Sequence, residues 1–119
     1  MFKEHKEFHV INLEEGWVSP PGYPADIQEK ILSGRLDEEN GKGTRTRLLR
    51  FLPGATTDDP FIHDYFEEVY LVSGDLTVGK GDNREVFTPN TYACRPPQTY
   101  HGPFSSEKGC VLLEVHFYE

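Results

Sequence analysis

Apolar and β-branched residues recur along the chain in short alternating runs, and long stretches of helical period are nearly absent. Six segments carry the alternation: "TRTRLLRFL" (44–52), "EEVYLV" (67–72), "DLTVG" (75–79), "REVFT" (84–88), "TYACR" (91–95) and "GCVLLEVHFY" (109–118). Each has the length and residue types of a β-strand. Between them, "SPPGYP" (19–24), "ENGKG" (39–43), "LPG" (52–54), "SGD" (73–75), "GKGDN" (79–83) and "RPPQ" (95–98) supply the glycines, prolines and asparagines that turns require. One segment reads differently. In "ADIQEKILSG" (25–34), Ile27, Ile31 and Leu32 recur at helical spacing and Gly34 suits the residue after a helix end, so a short N-terminal helix is expected there.

Many short strands with regular turns predict an all-β fold, a sandwich or barrel. The run from "SGD" through "GKGDN" to "RPP" leaves strands of three to five residues, which must pair antiparallel with close neighbours. Such a meander with a long closing strand fits a jelly roll. In that closing strand Val111, Leu113, Val115 and Phe117 form the apolar face. Glu114 and His116 then lie on the opposite face, in a pocket or a subunit interface, and a metal role for His116 is the less favoured of its readings.

Size and charge narrow the classes. At 119 residues the chain makes one domain, read as an N-terminal arm with its short helix over 1–43 and a β core over 44–118. The formal charge is −8, from 20 acidic and 12 basic residues, which opposes nucleic acid or an anionic membrane as the main partner. No run approaches the roughly 20 apolar residues of a membrane span. The first residues, "MFKEHKEFHVINLEEGW", lack the apolar centre of a signal peptide, so a cytoplasmic protein is expected. Cys94 and Cys110, the two cysteines, both fall in strand-like runs and are read as reduced, buried thiols.

The chemistry-bearing residues cluster in two places. In "FIHDYFEEVYLVSG" (61–74), His63 precedes two adjacent glutamates; in "NTYACRPPQTYHGPF" (90–104), His101 sits between Pro96-Pro97 and Pro103, whose rings fix φ and stiffen the loop. Taken together the two segments resemble the motifs of the cupin superfamily, G-x5-H-x-H-x3-4-E-x6-G and G-x5-P-x-G-x2-H-x3-N. Gly54 opens the first, Phe61 stands at its first histidine, His63 is the second, and Glu67 and Gly74 follow at the family spacing. In the second, Asn90 and Gln98 stand at the two glycines, Pro96 and His101 match, and Ser105 replaces the final asparagine. The likeness covers roughly 44–118, and it is greatest to small bacterial cupins akin to acetylacetone dioxygenase and to the sensor module of the anti-sigma factor ChrR.

That resemblance implies a cupin jelly-roll barrel (a double-stranded β-helix) and a divalent metal held by His63, Glu67 and His101. Phe61 removes the fourth usual ligand. Two histidines and a carboxylate suit Fe(II), and equally accept Zn, Mn, Ni or Co. Asn tolerates the left-handed backbone of a glycine position, whereas Gln98 implies a turn of different geometry. Glu68 has the opposite strand parity and is expected to face solvent. Tyr65 is a candidate hydrogen-bond donor at the pocket mouth. Arg47 and Arg95 are candidate anchors for an anionic substrate, while Arg45 and Arg50 are expected to pair with acidic residues. His5 and His9 are read as solvated. Two functions fit: a metal-dependent enzyme on a small oxygenated substrate (a diketone, hydroxyketone or keto acid), such as a dioxygenase, isomerase or lyase, or a non-catalytic metal- or metabolite-sensing module. The exposed edge and the "FHVINL" arm (8–13) predict a homodimer.

Overall fold

The computed structural model describes residues 1–119. Eight strands form it: β1 (Ile27–Asp37), β2 (Lys42–Phe51), β3 (Phe66–Gly74), β4 (Leu76–Val78), β5 (Glu85–Phe87), β6 (Tyr92–Arg95), β7 (Phe104–Ser105) and β8 (Cys110–Phe117). They make two antiparallel sheets, one in the order β1-β2-β8-β3-β6 and one in the order β5-β4-β7. The only helical turn is the 3-10 turn at Gly81–Asn83. No helix is long and apolar enough to cross a membrane. The architecture is the jelly-roll barrel that the strand pattern predicts.

The helix expected over 25–34 is instead the start of β1. Ile27 faces Phe51 in the ladder and is fully buried, whereas Ile31 is exposed beside a bulge, so tertiary pairing overrides a local helical spacing. Gly34 is no helix end. It lies within β1 at φ 79°, where a Cβ would strike the Thr44 carbonyl of β2. The ladder thus begins at residue 27, well before the expected boundary at 44. The sequence pattern also misses β7, which is only two residues long.

The meander is half right. "GKGDN" does join the antiparallel pair β4–β5. "SGD" joins no pair: β3 and β4 belong to different sheets, and the corner carries the chain from one to the other.

Strand parity separates core from surface. Leu49 and Phe51 of β2, Val69 and Leu71 of β3, and Cys110 and Leu112 of β8 meet Ile27, Ala55 and Leu76 in the apolar core. The face of β8 carrying Val111, Leu113, Val115 and Phe117, apolar though it is, points outward. Its inner face is Cys110, Leu112, Glu114 and His116, which are all buried. Of the two cysteines, Cys110 is buried and Cys94, on the outer side of β6, is exposed; both thiols are free. Burial pushes the Cys110 thiol up to about 11.

Candidate metal centre

Beyond the apolar layer the inner faces of the same strands turn polar, and the ladder register dictates the outcome. Arg45 of β2 pairs with His116 of β8, His116 with Glu67 of β3, and Glu67 with Arg95 of β6. Four inward side chains on four neighbouring strands therefore form one row, and each bonds the next. The Arg45 guanidinium donates to Nδ1 of His116, at 3.1 Å from Nε and 2.7 Å from Nη2. Nε2 of His116 lies 2.7 Å from Glu67 Oε2, and Arg95 Nη1 donates to Glu67 Oε1 at 2.7 Å. Because a guanidinium only donates, Nδ1 of His116 holds a lone pair and Nε2 carries the proton given to Glu67.

The adjacent register row adds a second buried group. Arg47 donates to Glu114 Oε1 (2.8 Å) and to Glu29 Oε1 (2.9 Å), all three being largely buried. Burial opposes ionisation of Glu114, but the Arg47 charge prevails and its pKa is held below the ordinary range. Tyr23, in the turn "SPPGYP", stacks on Phe61 at 5.0 Å, and burial raises its phenol well above the usual value.

His63 and His101 come from loops outside the strands, and backbone bonds fix both loops. Phe61 and His101 exchange two hydrogen bonds, at 2.7 and 2.9 Å, and Gln98 N donates to the His63 carbonyl at 2.9 Å. Asn90 and Gln98 both take the left-handed backbone, at φ 71° and 65°. The turn at Gln98 thus has a glycine-like geometry, contrary to the expectation of a different one, because that amide must reach His63.

Each loop histidine directs Nδ1 to a backbone carbonyl, His63 to Tyr65 (3.0 Å) and His101 to Thr99 (3.3 Å). Nδ1 is then the protonated atom, and both Nε2 lone pairs face Glu67, each 3.6 Å from one of its oxygens. Burial and the Arg95 charge lower the pKa of His101, which favours the neutral imidazole. Burial opposes ionisation of Glu67, yet the bond donated by His116 keeps it an anion, well below the usual carboxylate range. Ligand atoms of His63, Glu67 and His101 all lie within 4.8 Å of one another. Among buried side-chain polar atoms, Nε2 of His63 is the one left with no hydrogen-bond partner. A lone pair on a neutral imidazole aimed at a carboxylate is what a cation between them would satisfy, so the set suits a divalent ion.

Glu67, Glu114 and His116 also converge, but the proton on His116 Nε2 is committed to Glu67 and its other nitrogen to Arg45. That second group is a hydrogen-bonded support for the first.

Tyr65 lies flat on His63, ring centroids 3.9 Å apart, and burial lifts its phenol to about 12, so it remains a donor at neutral pH. Glu68 faces outward to the Tyr92 hydroxyl at 2.5 Å. His5 and His9 are exposed. The expected pairing of Arg45 and Arg50 with acidic residues is not what forms. Arg45 and Arg50 pair with His116 and Gln28 rather than with acids, and Arg47 and Arg95 are the ones held by carboxylates. Inward parity at 45 and 47 is the reason, since both point into the barrel. Sequence reasoning missed Tyr23, Glu29 and the support given by His116. The signal for His116 was a polar pair at alternate positions on β2 and another at the matching end of β8.

A cavity of about 360 Å³ opens over the cluster, bordered by Tyr23, Glu29, Arg45, Arg47, Phe61 and Tyr65 among others. Inside the barrel, beneath Phe61, the remaining space is about 30 Å³, room for roughly one water molecule.

No family model matches the chain, and no curated protein matches it in sequence. Solved structures do resemble it. An RmlC-like cupin from Shewanella frigidimarina superposes with a TM-score of 0.70 at 17% identity, covering 100% of this chain and 96% of the other. The polyketide cyclase RemF from Streptomyces resistomycificus gives 0.71 at 19%, covering 96% and 81%. An acetylacetone dioxygenase from Acinetobacter johnsonii gives 0.68 at 16%, covering 97% and 76%. Two sheets in this strand order, two loop histidines facing one strand glutamate, and these superpositions together identify the fold of the chain as that of the cupins.

Proposed function

We propose that the chain is a metal-dependent enzyme that binds one divalent ion through His63, Glu67 and His101 and acts on a small oxygenated organic molecule. The observation that carries this reading is the buried, unpartnered Nε2 of His63, aligned with Nε2 of His101 on one carboxylate. A divalent ion in this set supplies Lewis-acid polarisation of substrate oxygens. Three protein ligands leave positions for two of them, so a diketone, hydroxyketone or keto acid is the substrate class. If the ion is iron, the chemistry is that of a dioxygenase; otherwise it is isomerase or lyase chemistry.

The chain's own residues have distinct tasks in this reading. Arg95 and His116 occupy one lone pair on each Glu67 oxygen and fix the carboxylate plane. Arg47, held rigid between Glu29 and Glu114, keeps donors of its second terminal nitrogen for a substrate oxygen entering from the mouth. Tyr65 holds His63 by stacking and donates its phenol proton at the cavity rim. Phe61, packed between Tyr23 and Phe104, is an apolar wall for the carbon skeleton. Elemental analysis with turnover on β-diketones and α-hydroxyketones tests the reading; a chain that takes up no metal on reconstitution overturns it.

The reading includes a homodimer. On the outer sheet face, register partners Leu48, Leu113, Tyr70 and Tyr92 form an apolar row across four strands. A second copy covering that row removes it from water.

A further inference from the structure

The barrel has a second opening. β6 and β5 are edge strands of the two sheets and share no hydrogen-bonded ladder, so a seam runs between them. A cleft of about 240 Å³ enters there, walled by Val69, Leu71, Leu76, Val78, Phe87 and Ala93, and Arg95 is the one charged residue on its border. The wall joins the buried core side chains Val69, Leu71 and Leu76 to the partly buried Val78, Phe87 and Ala93 at the seam. A guanidinium has five N–H donors, and Arg95 gives only one, from Nη1 to Glu67. Its remaining donors have no protein partner, although the side chain is only 16% exposed. Spare charged donors at the border of an apolar cleft define a ligand by complement: an anionic head on a short hydrocarbon chain.

We propose that the seam cleft binds a small apolar carboxylate, with its chain among Leu71, Val78, Phe87 and Ala93 and its carboxylate on the free N–H groups of Arg95. The volume lies below the roughly 300–1,000 Å³ of drug-sized sites, which limits the chain to a few carbons. A cationic amphiphile is rejected by Arg95, and a fully polar anion gains nothing from the apolar walls. The mouth over His63 and His101 is lined by a different set of side chains and neither histidine borders the cleft, while Arg95 joins the two sites through its bond to Glu67.

The test is a titration of the full chain with hexanoate, 1-hexanol and acetate, with chelator present so that no carboxylate–metal contact contributes, followed by methyl resonances. Hexanoate is expected to shift Val69, Leu71, Val78 and Ala93 saturably. Hexanol should shift the same methyls about tenfold more weakly, the scale of one charge-assisted hydrogen bond, and acetate should shift none. Arg95→Met should abolish the tenfold difference while hexanol still binds. Ala93→Leu should block both ligands by filling the cleft; Val78→Phe serves the same purpose if the first variant does not fold. Equal affinity of hexanoate and hexanol for the unaltered chain overturns the proposal. So do shifts centred on the Ile62 methyls at the mouth, or binding that survives the filling variants.

Discussion

Arg45 and His116 face each other as register partners on β2 and β8, and the guanidinium donates to the imidazole Nδ1 from two of its nitrogens. Against its burial, Glu114 and Glu67 raise the His116 pKa, but the Arg45 donors keep a lone pair on Nδ1, so Nε2 donates to Glu67 at a position with no solvent exposure. His116→Leu should therefore strip Glu67 of a donor and Arg45 of an acceptor, with a stability loss of about 3 kcal/mol by analogy with broken buried charge pairs. His116→Gln, which keeps an N–H and a carbonyl, should lose less than half of that. Denaturant midpoints decide it. Equal losses for the two variants would mean that the imidazole acts only by filling space.

The proposed ligands and their supports should differ in degree. His63→Ala, His101→Ala or Glu67→Gln should each weaken metal binding by more than the roughly 10- to 100-fold that loss of a supporting partner causes, and His116→Gln should fall within that range. Chelator competition measures all four. A His101→Ala protein that holds metal as tightly as the parent removes His101 from the ligand set.

Phe61 occupies the place where the cupin pattern has a histidine, and its ring stands 6.0 Å from that of His101. Phe61→His should add a ligand and tighten metal binding. It should also cost about 1 kcal/mol of stability through lost stacking on Tyr23 and Phe104. Turnover should fall, because the new imidazole takes a position that the substrate needs. Unchanged metal affinity would place residue 61 outside the coordination sphere.

Gln98 pays a backbone cost to donate its amide to His63. Left-handed backbone costs a side-chain-bearing residue about 1–2 kcal/mol, and glycine returns part of the gain through its freer unfolded chain. Gln98→Gly is expected to stabilise by about 0.5–1 kcal/mol, a rise of a few degrees in Tm. A lower Tm would show that the glutamine side chain itself supports the turn.

Light scattering at micromolar concentration should give twice the chain mass of 13.6 kDa. Tyr70→Lys together with Leu113→Lys should return the protein to monomers if the outer row is the interface. A monomer for the unaltered chain ends the dimer reading.

How much of this was legible in the sequence depends on the kind of signal. The gap between His63 and Glu67, and the prolines before His101, set loop geometry that a spacing pattern records, and those three side chains do converge. Six of the strands were legible because each alternates and ends at a turn residue. β1 was not, since Ile27 and Ile31 satisfy a helical period as well as a strand period, and only the ladder to β2 decides between them. The support of Glu67 by His116 was hidden for a similar reason. It exists because Arg45, His116, Glu67 and Arg95 share one register row, and register is a property of pairs of strands, not of any one segment.

The pair of backbone hydrogen bonds between Phe61 and His101 has a kinetic consequence. Since backbone ties, together with the Gln98 amide on His63, hold both histidine loops, the proposed metal socket is built by the chain itself without help from an ion. Such a protein folds first and loads afterwards, unlike small domains in which metal binding is itself the folding step. Stripping it with a chelator should lower its melting temperature only by the mass-action term for a bound ligand, and re-addition of metal should restore occupancy as fast as the ion can enter, with no refolding phase.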